Sequence, residues 1–217
     1  MAGMVSSPDV RPAARPSTRR VRKHPDERRA EILEAAADIA LAEGLERITL
    51  RAVADRIGVR PGLITHYHPS AEDLVIAAFV RAAEGERDTA YPSEGSPLAR
   101  VATLVRDMED PSSDPLSKLW LNARHLSRFT PALAVAVSEQ ETLNVASLLA
   151  IIEDGVADGS FRCDDALAAC VRILVAIDGH GAYVNDVGGF THEAYRRFVS
   201  DTAEWALGLA PGALATA

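Results

Sequence analysis

The chain holds 217 residues, 47% of them apolar and 5% aromatic, with 23 Lys and Arg against 31 Asp and Glu for a formal charge of -8. That length and apolar content support a packed core without metal or disulfide help, and an Ala-, Leu- and Val-rich composition favours helices over strands. Only two cysteines occur, Cys163 and Cys170; seven residues apart on a helix they lie about 10 Å along its axis, too far to bridge, so they read as small buried residues in a reducing compartment.

The charge is unevenly spread. Residues 1–70 carry 12 Lys and Arg against 9 Asp and Glu, and residues 71–217 carry 11 against 22. A basic front on an acidic body fits a polyanionic partner at one end. Residues 1–23 (MAGMVSSPDVRPAARPSTRRVRK) hold almost no large apolar side chains and form a disordered basic arm, either a solvated tail or a segment that lies on phosphates or in a minor groove. They contain no apolar signal region, and apolar stretches such as 145–152 fall short of the roughly 20 residues that span a bilayer. A cytoplasmic location without membrane contact is expected.

The spacing of Ile32, Ala36, Ile39 and Ala40 predicts a first helix beginning at Pro25 and stopped by Gly44. Thr49 caps a second, short helix that ends at Gly58. A third begins at Pro61 and runs to His68, where Pro69 stops it. Ser70, with Asp73 three residues on, starts a fourth over 70–87. Residues 89–96 (TAYPSEGS) are a loop. Further helices are predicted at 97–109, 115–128, 131–158, 164–187 and 192–208, with a break at Gly188 and Gly189 and a loose tail at 210–217. The fold class is all-α, with about nine helices and no strand. Its domains are a head over 24–70 and a helical body over 71–209.

The stretch 49–68 (TLRAVADRIGVRPGLITHYH) carries the chemistry. Leu50, Val53, Ala54 and Ile57 share one helical face, and Ala54 with Gly58 lets two short helices cross closely. Such a pair is a helix-turn-helix, whose second helix fits a major groove about 12 Å wide. Pro61 and Gly62 keep its leading end slim. Arg60, Thr65, His66, Tyr67 and His68 are the groups able to reach bases or phosphates, and Thr49 and Arg51 sit at a helix N-terminus that attracts a phosphate. The partner expected is double-stranded DNA.

From Arg28 to Leu74, through RRAEILEAAADIALAEG, ITLRAVADRIGV and PGLITHYHPSAEDL, the chain resembles the TetR family of bacterial regulators. That resemblance implies a homodimer, operator binding, and an effector pocket in the C-terminal domain. The chain departs from the family in having His68 where Phe is usual and Ala71 where a Lys commonly meets a phosphate. Residues 119–128 (LWLNARHLSR), 149–161 (LAIIEDGVADGSF) and 174–183 (LVAIDGHGAY) are similar to the choline-responsive repressor of betaine biosynthesis and its relatives, a likeness that does not fix the ligand.

Large or polar groups embedded in the apolar helices of the body are candidate contacts for an unknown small-molecule effector: Trp120, Arg124, His125, Phe129, Asp178, His180 and Tyr183. Trp120 and Arg124 share a face at i, i+4. The last two long helices resemble the family's dimer bundle. Ala168, Val171, Ile173, Leu174, Ile177 and Tyr183 form one apolar surface there, and Phe198, Thr202, Trp205 and Leu209 another. No cofactor or metal is expected, since no Cys/His cluster has ligand spacing and His66 and His68, at i, i+2, point about 200° apart. Catalysis is disfavoured by the lack of a nucleophile elbow, an HExxH or a phosphate loop. The alternative to a ligand-responsive repressor is a non-specific architectural DNA binder, which would leave the acidic body without a role.

Overall fold

A computed structural model describes residues 24–185 and 190–217; the basic arm and the Gly188–Gly189 break lie outside them. Among the described residues the chain is all helical, with α1 at Pro25–Glu43, α2 at Leu50–Ile57, α3 at Pro61–Tyr67, α4 at Ala71–Ala90 and α5 at Pro97–Glu109. Then come α6 at Asp114–Ser127, α7 at Pro131–Ala157, α8 at Ala166–Gly181, α9 at Glu193–Arg196 and α10 at Phe198–Ala206. The starts are written locally. Thr49 Oγ1 accepts the Ala52 N–H at 3.0 Å and Ser70 Oγ that of Asp73 at 3.0 Å, while Pro25, Pro61, Pro97 and Pro131 stand in first turns where no N–H is needed. Gly58 ends α2 in the left-handed region at φ 65°, ψ 41°, a conformation that glycine adopts without a Cβ clash.

Three expectations change. The predicted helix over 192–208 is two helices, broken at Arg197 (φ -103°, ψ 14°). The Tyr195 hydroxyl donates to the His180 carbonyl and its ring stacks on His180 at 4.4 Å, which holds α9 against the end of α8 while Val199 and Ala203 of α10 turn into the core. The helix expected to run to 187 ends at Gly181 and the chain turns over 182–185, where Gly179 and Gly181 lower helix propensity. The expected loose tail is docked. Glu204, itself buried, accepts the N–H groups of Gly212 and Leu214 at 2.8 and 3.0 Å, and Leu214 is buried.

Two cores organise the molecule. The first joins α1–α3 to α4, α6 and the start of α7 through Ile32, Leu45, Ile64, Phe79, Leu119, Trp120 and Leu133. The second joins α5, α7, α8 and α10 through Leu104, Leu148, Ile151, Ile173 and Val199. Head and body thus share a core across the expected boundary at residue 70. Asn122 of α6 braces the same junction, accepting the Leu45 N–H at 2.8 Å and donating to Glu46 at 2.7 Å. Among the described residues helix α7 alone is long and apolar enough, by length and composition, to cross a membrane, being longer than the apolar run expected at 145–152. It packs instead against α4, α5, α6 and α8, and its polar residues Gln140 and Asn144 accept from Arg87 of α4.

Candidate DNA-reading head and effector cavity

The head places α2 and α3 across a tight turn at Gly58, with Val53, Ala54 and Ile64 fully buried between them and α1. What remains outside is polar. Arg51, Arg60, Thr65 and His66 are exposed, as are Pro61, Gly62 and the cap residue Thr49, and Tyr67 is half-buried with its ring edge-on to His66 at 5.3 Å. A Cβ at Gly62 would meet nothing within 4 Å. No neighbour among the described residues requires the glycine, and the bare surface suits a body approaching from outside. Arg51 is partly drawn off by Asp55, 3.7 Å away. His68 does not join this face: it is 8% exposed, its Nε2 has no hydrogen-bond partner among the described residues, and desolvation followed by the charge of Arg29 pulls its pKa below the ordinary imidazole value. It is a core residue under α3 and not an outward contact.

The body encloses a cavity of about 310 Å³ between α4, α5, α6, α7 and α8. Trp120 of α6 stands at its head end. The indole edge meets Phe79 of α4 at 5.1 Å, its Nε1 donates to Glu86 of α4 at 2.7 Å, and the Arg124 guanidinium lies 5.3 Å from the ring centroid. Arg124 in turn donates to Glu141 of α7 at 2.9 Å and to both oxygens of Asp178 of α8 at 3.0 and 2.9 Å, tying three helices together. Burial is the main cause that lifts the Glu86 carboxyl above its usual range, and it also lifts the Tyr91 phenol, on which the charge of Glu86 acts further.

Comparison with known proteins decides the class. A model of bacterial regulatory proteins of the tetR family matches residues 32–78, from α1 into α4. The HTH-type transcriptional repressor KstR2 of Rhodococcus jostii is 29% identical over 156 residues, covering 68% of this chain and 74% of that one. A TetR transcription regulator from Haloarcula marismortui superposes with a TM-score of 0.72 at 22% identity, over 84% of this chain and 99% of the other. A regulator from Saccharomonospora viridis, solved in complex with choline, gives 0.69 at 22% over 82% and 96%. Residues 32–78 carry the DNA-binding segment of TetR-family regulators, and the chain has their fold.

The residues expected to surround an effector divide in two. Trp120, Arg124 and Asp178 line the cavity. His125 and Phe129 do not: they pair edge-on with each other at the far end of α6, Phe129 being 70% exposed. His180 and Tyr183 are drawn to Tyr195 by the turn after Gly181. Sequence reasoning missed Glu86 and Glu141. Both carried a legible signal, an acid on a buried stripe: Phe79, Ala83, Glu86 and Ala90 on α4, and Val137, Glu141 and Leu148 on α7.

Proposed function

We propose that this TetR-family protein is a homodimeric repressor that holds an operator through α3 and lets go when a small molecule fills the body cavity. The observation that carries the reading is the split of α3 into a buried apolar face, at Ile64, and an outward edge of Gly62, Thr65 and His66 with Arg60 at its start. A helix so divided can enter a major groove without exposing its core. The apolar residues left open on α8 and α10, Leu167, Val171, Val175, Phe198 and Trp205, are 45–67% exposed and suit a second copy of the chain, since large apolar patches seldom face water on a monomer. The protein works in the cytoplasm.

Release follows from where the cavity sits. Glu86 and Phe79 lie on α4, which packs most closely on α1 and is joined to α3 by only three residues, 68–70. A ligand that favours a different tilt of α4 shifts the spacing of two heads that must stay about 34–36 Å apart. Duplexes selected from a random pool give the operator. Thr65→Val and His66→Ala are expected to lower operator affinity about tenfold each, at unchanged thermal stability and dimer mass. Equal affinity for operator and random DNA, varying only with salt, would instead establish the architectural role.

A further inference from the structure

The wall of the body cavity selects among ligands. Three carboxylates line it, Glu86, Glu141 and Asp178, against one cation, Arg124. The guanidinium is committed: Nε serves Glu141, and Nη1 and Nη2 serve Asp178. A ligand carboxylate would find only the second N–H of each Nη unspent, with the like charges of Glu141 and Asp178 already seated beside it. Glu86 is placed differently. It accepts the Trp120 indole N–H at 2.7 Å and has no ion-pair partner within 4 Å among the described residues. A carboxylate largely withdrawn from water is costly when its counter-charges, here Arg87 and Arg124, act on it only without contact, and a ligand that brings a positive charge into contact recovers part of that cost.

Two further features point the same way. The Trp120 ring already carries a cation on its face, the Arg124 guanidinium at 5.3 Å, inside the roughly 6 Å over which an aromatic quadrupole attracts positive charge. Tyr91, half-buried, also lines the cavity within the field of Glu86 and Asp178, and its hydroxyl, which makes no hydrogen bond among the described residues, has oxygen lone pairs to turn toward a cationic head. The rest of the wall is largely aliphatic, including Leu104, Met108 and Leu174.

We infer that the effector is a small organic cation, its charged head against Glu86 beside the Trp120 ring and its apolar part against Leu104, Met108 and Leu174. This rests on the reading of the cavity as the effector site. At about 310 Å³ the space lies at the lower end of small-molecule sites.

The test uses the full-length protein and three cations: choline, tetraethylammonium and benzyltrimethylammonium. Each is titrated beside a neutral carbon isostere (3,3-dimethylbutan-1-ol for choline), with phenylbutyrate as the anion. Calorimetry gives affinity, and operator retention is read on the same samples. At least one cation is expected to bind about tenfold or more tightly than its isostere. Glu86→Gln is expected to remove that advantage while leaving isostere affinity unchanged. Arg124→Gln, which takes away the resident positive charge, is expected to strengthen cation binding. Were Arg124 instead the receptor of an anion, the same change would weaken phenylbutyrate.

Cations no better than their isosteres, phenylbutyrate as the one binder, or no cation bound at all would each overturn the inference, and the wild-type comparison stands even if a variant does not fold. A cation that binds with the Glu86 dependence but leaves operator affinity untouched would uphold the cation site and overturn the effector reading. A neutral or anionic compound that releases the operator would do the reverse.

Discussion

His68 shows how one side chain can be neutral in the fold and costly to charge. Its ring is buried with Nε2 unpartnered, and desolvation, reinforced by Arg29, favours the uncharged form. With a folded pKa below the unfolded 6.5, this histidine binds fewer protons folded than unfolded. Stability is therefore full above about pH 6.5 and falls as the pH drops through that value toward the lower folded one. His68→Phe keeps a ring of similar size and removes the unpartnered nitrogen, so it is expected to stabilise by about 1 kcal/mol and to flatten the acid side of the stability curve between pH 7 and 5. Thermal unfolding of the two proteins across that range checks both. A variant that unfolds earlier at every pH would mean the imidazole makes a contact that this packing does not hold.

At the scale of the helix, the end of α7 is built around one missing side chain. A Cβ on Gly155 would stand 2.2–2.9 Å from ring atoms of Phe161, which is buried and whose N–H returns to the Gly155 carbonyl at 2.8 Å. Gly155→Ala is expected to cost about 1–3 kcal/mol through forced repacking, although alanine is the better helix former. A melting temperature lower by several degrees is the measure, roughly 2–4 °C per kcal/mol in a chain of this size. The helices themselves were readable where single residues punctuate them. Thr49, Gly58, Pro61, Pro69 and Ser70 set the bounds of α2, α3 and the start of α4 through caps and missing donors, which are local physics. The bend at Arg197 was not readable, because it depends on Tyr195 meeting His180 on another helix. The cavity was half readable for the same reason. Trp120 and Arg124 share one helical face and Asp178 interrupts an apolar run, but Glu86, Tyr91 and Glu141 become neighbours of that set only once α4 and α7 are packed.

For the whole molecule, the proposed association is the scale at which the exposed apolar side chains of α8 and α10 would act. Val175 and Trp205 are 63% and 67% exposed, with Arg172 lying 5.0 Å from the Trp205 ring centroid. In a dimer formed through these helices, burying a new charge at either site is strongly unfavourable. Val175→Glu combined with Trp205→Glu is expected to yield a monomer of unchanged helical content that has lost operator affinity by at least about a hundredfold, since a single head forfeits the second half-site. Sedimentation and operator titration read this directly, and a variant that remains dimeric would move the interface elsewhere.

The core shared by head and body sets limits on how this protein can be cut or recombined. Ile32, Ile39 and Leu45 are roofed in part by Phe79, Leu119 and Ala123, so a fragment severed after Ser70 would leave its hydrophobic underside bare to water. Grafting this reading head onto a foreign sensor therefore means transplanting α4 and α6 with it. Because α6 also brings Trp120 and Arg124, the donor's ligand preference would travel along with its operator preference. On the proposed reading, specificity for the operator and specificity for the inducer are inherited as one physical unit.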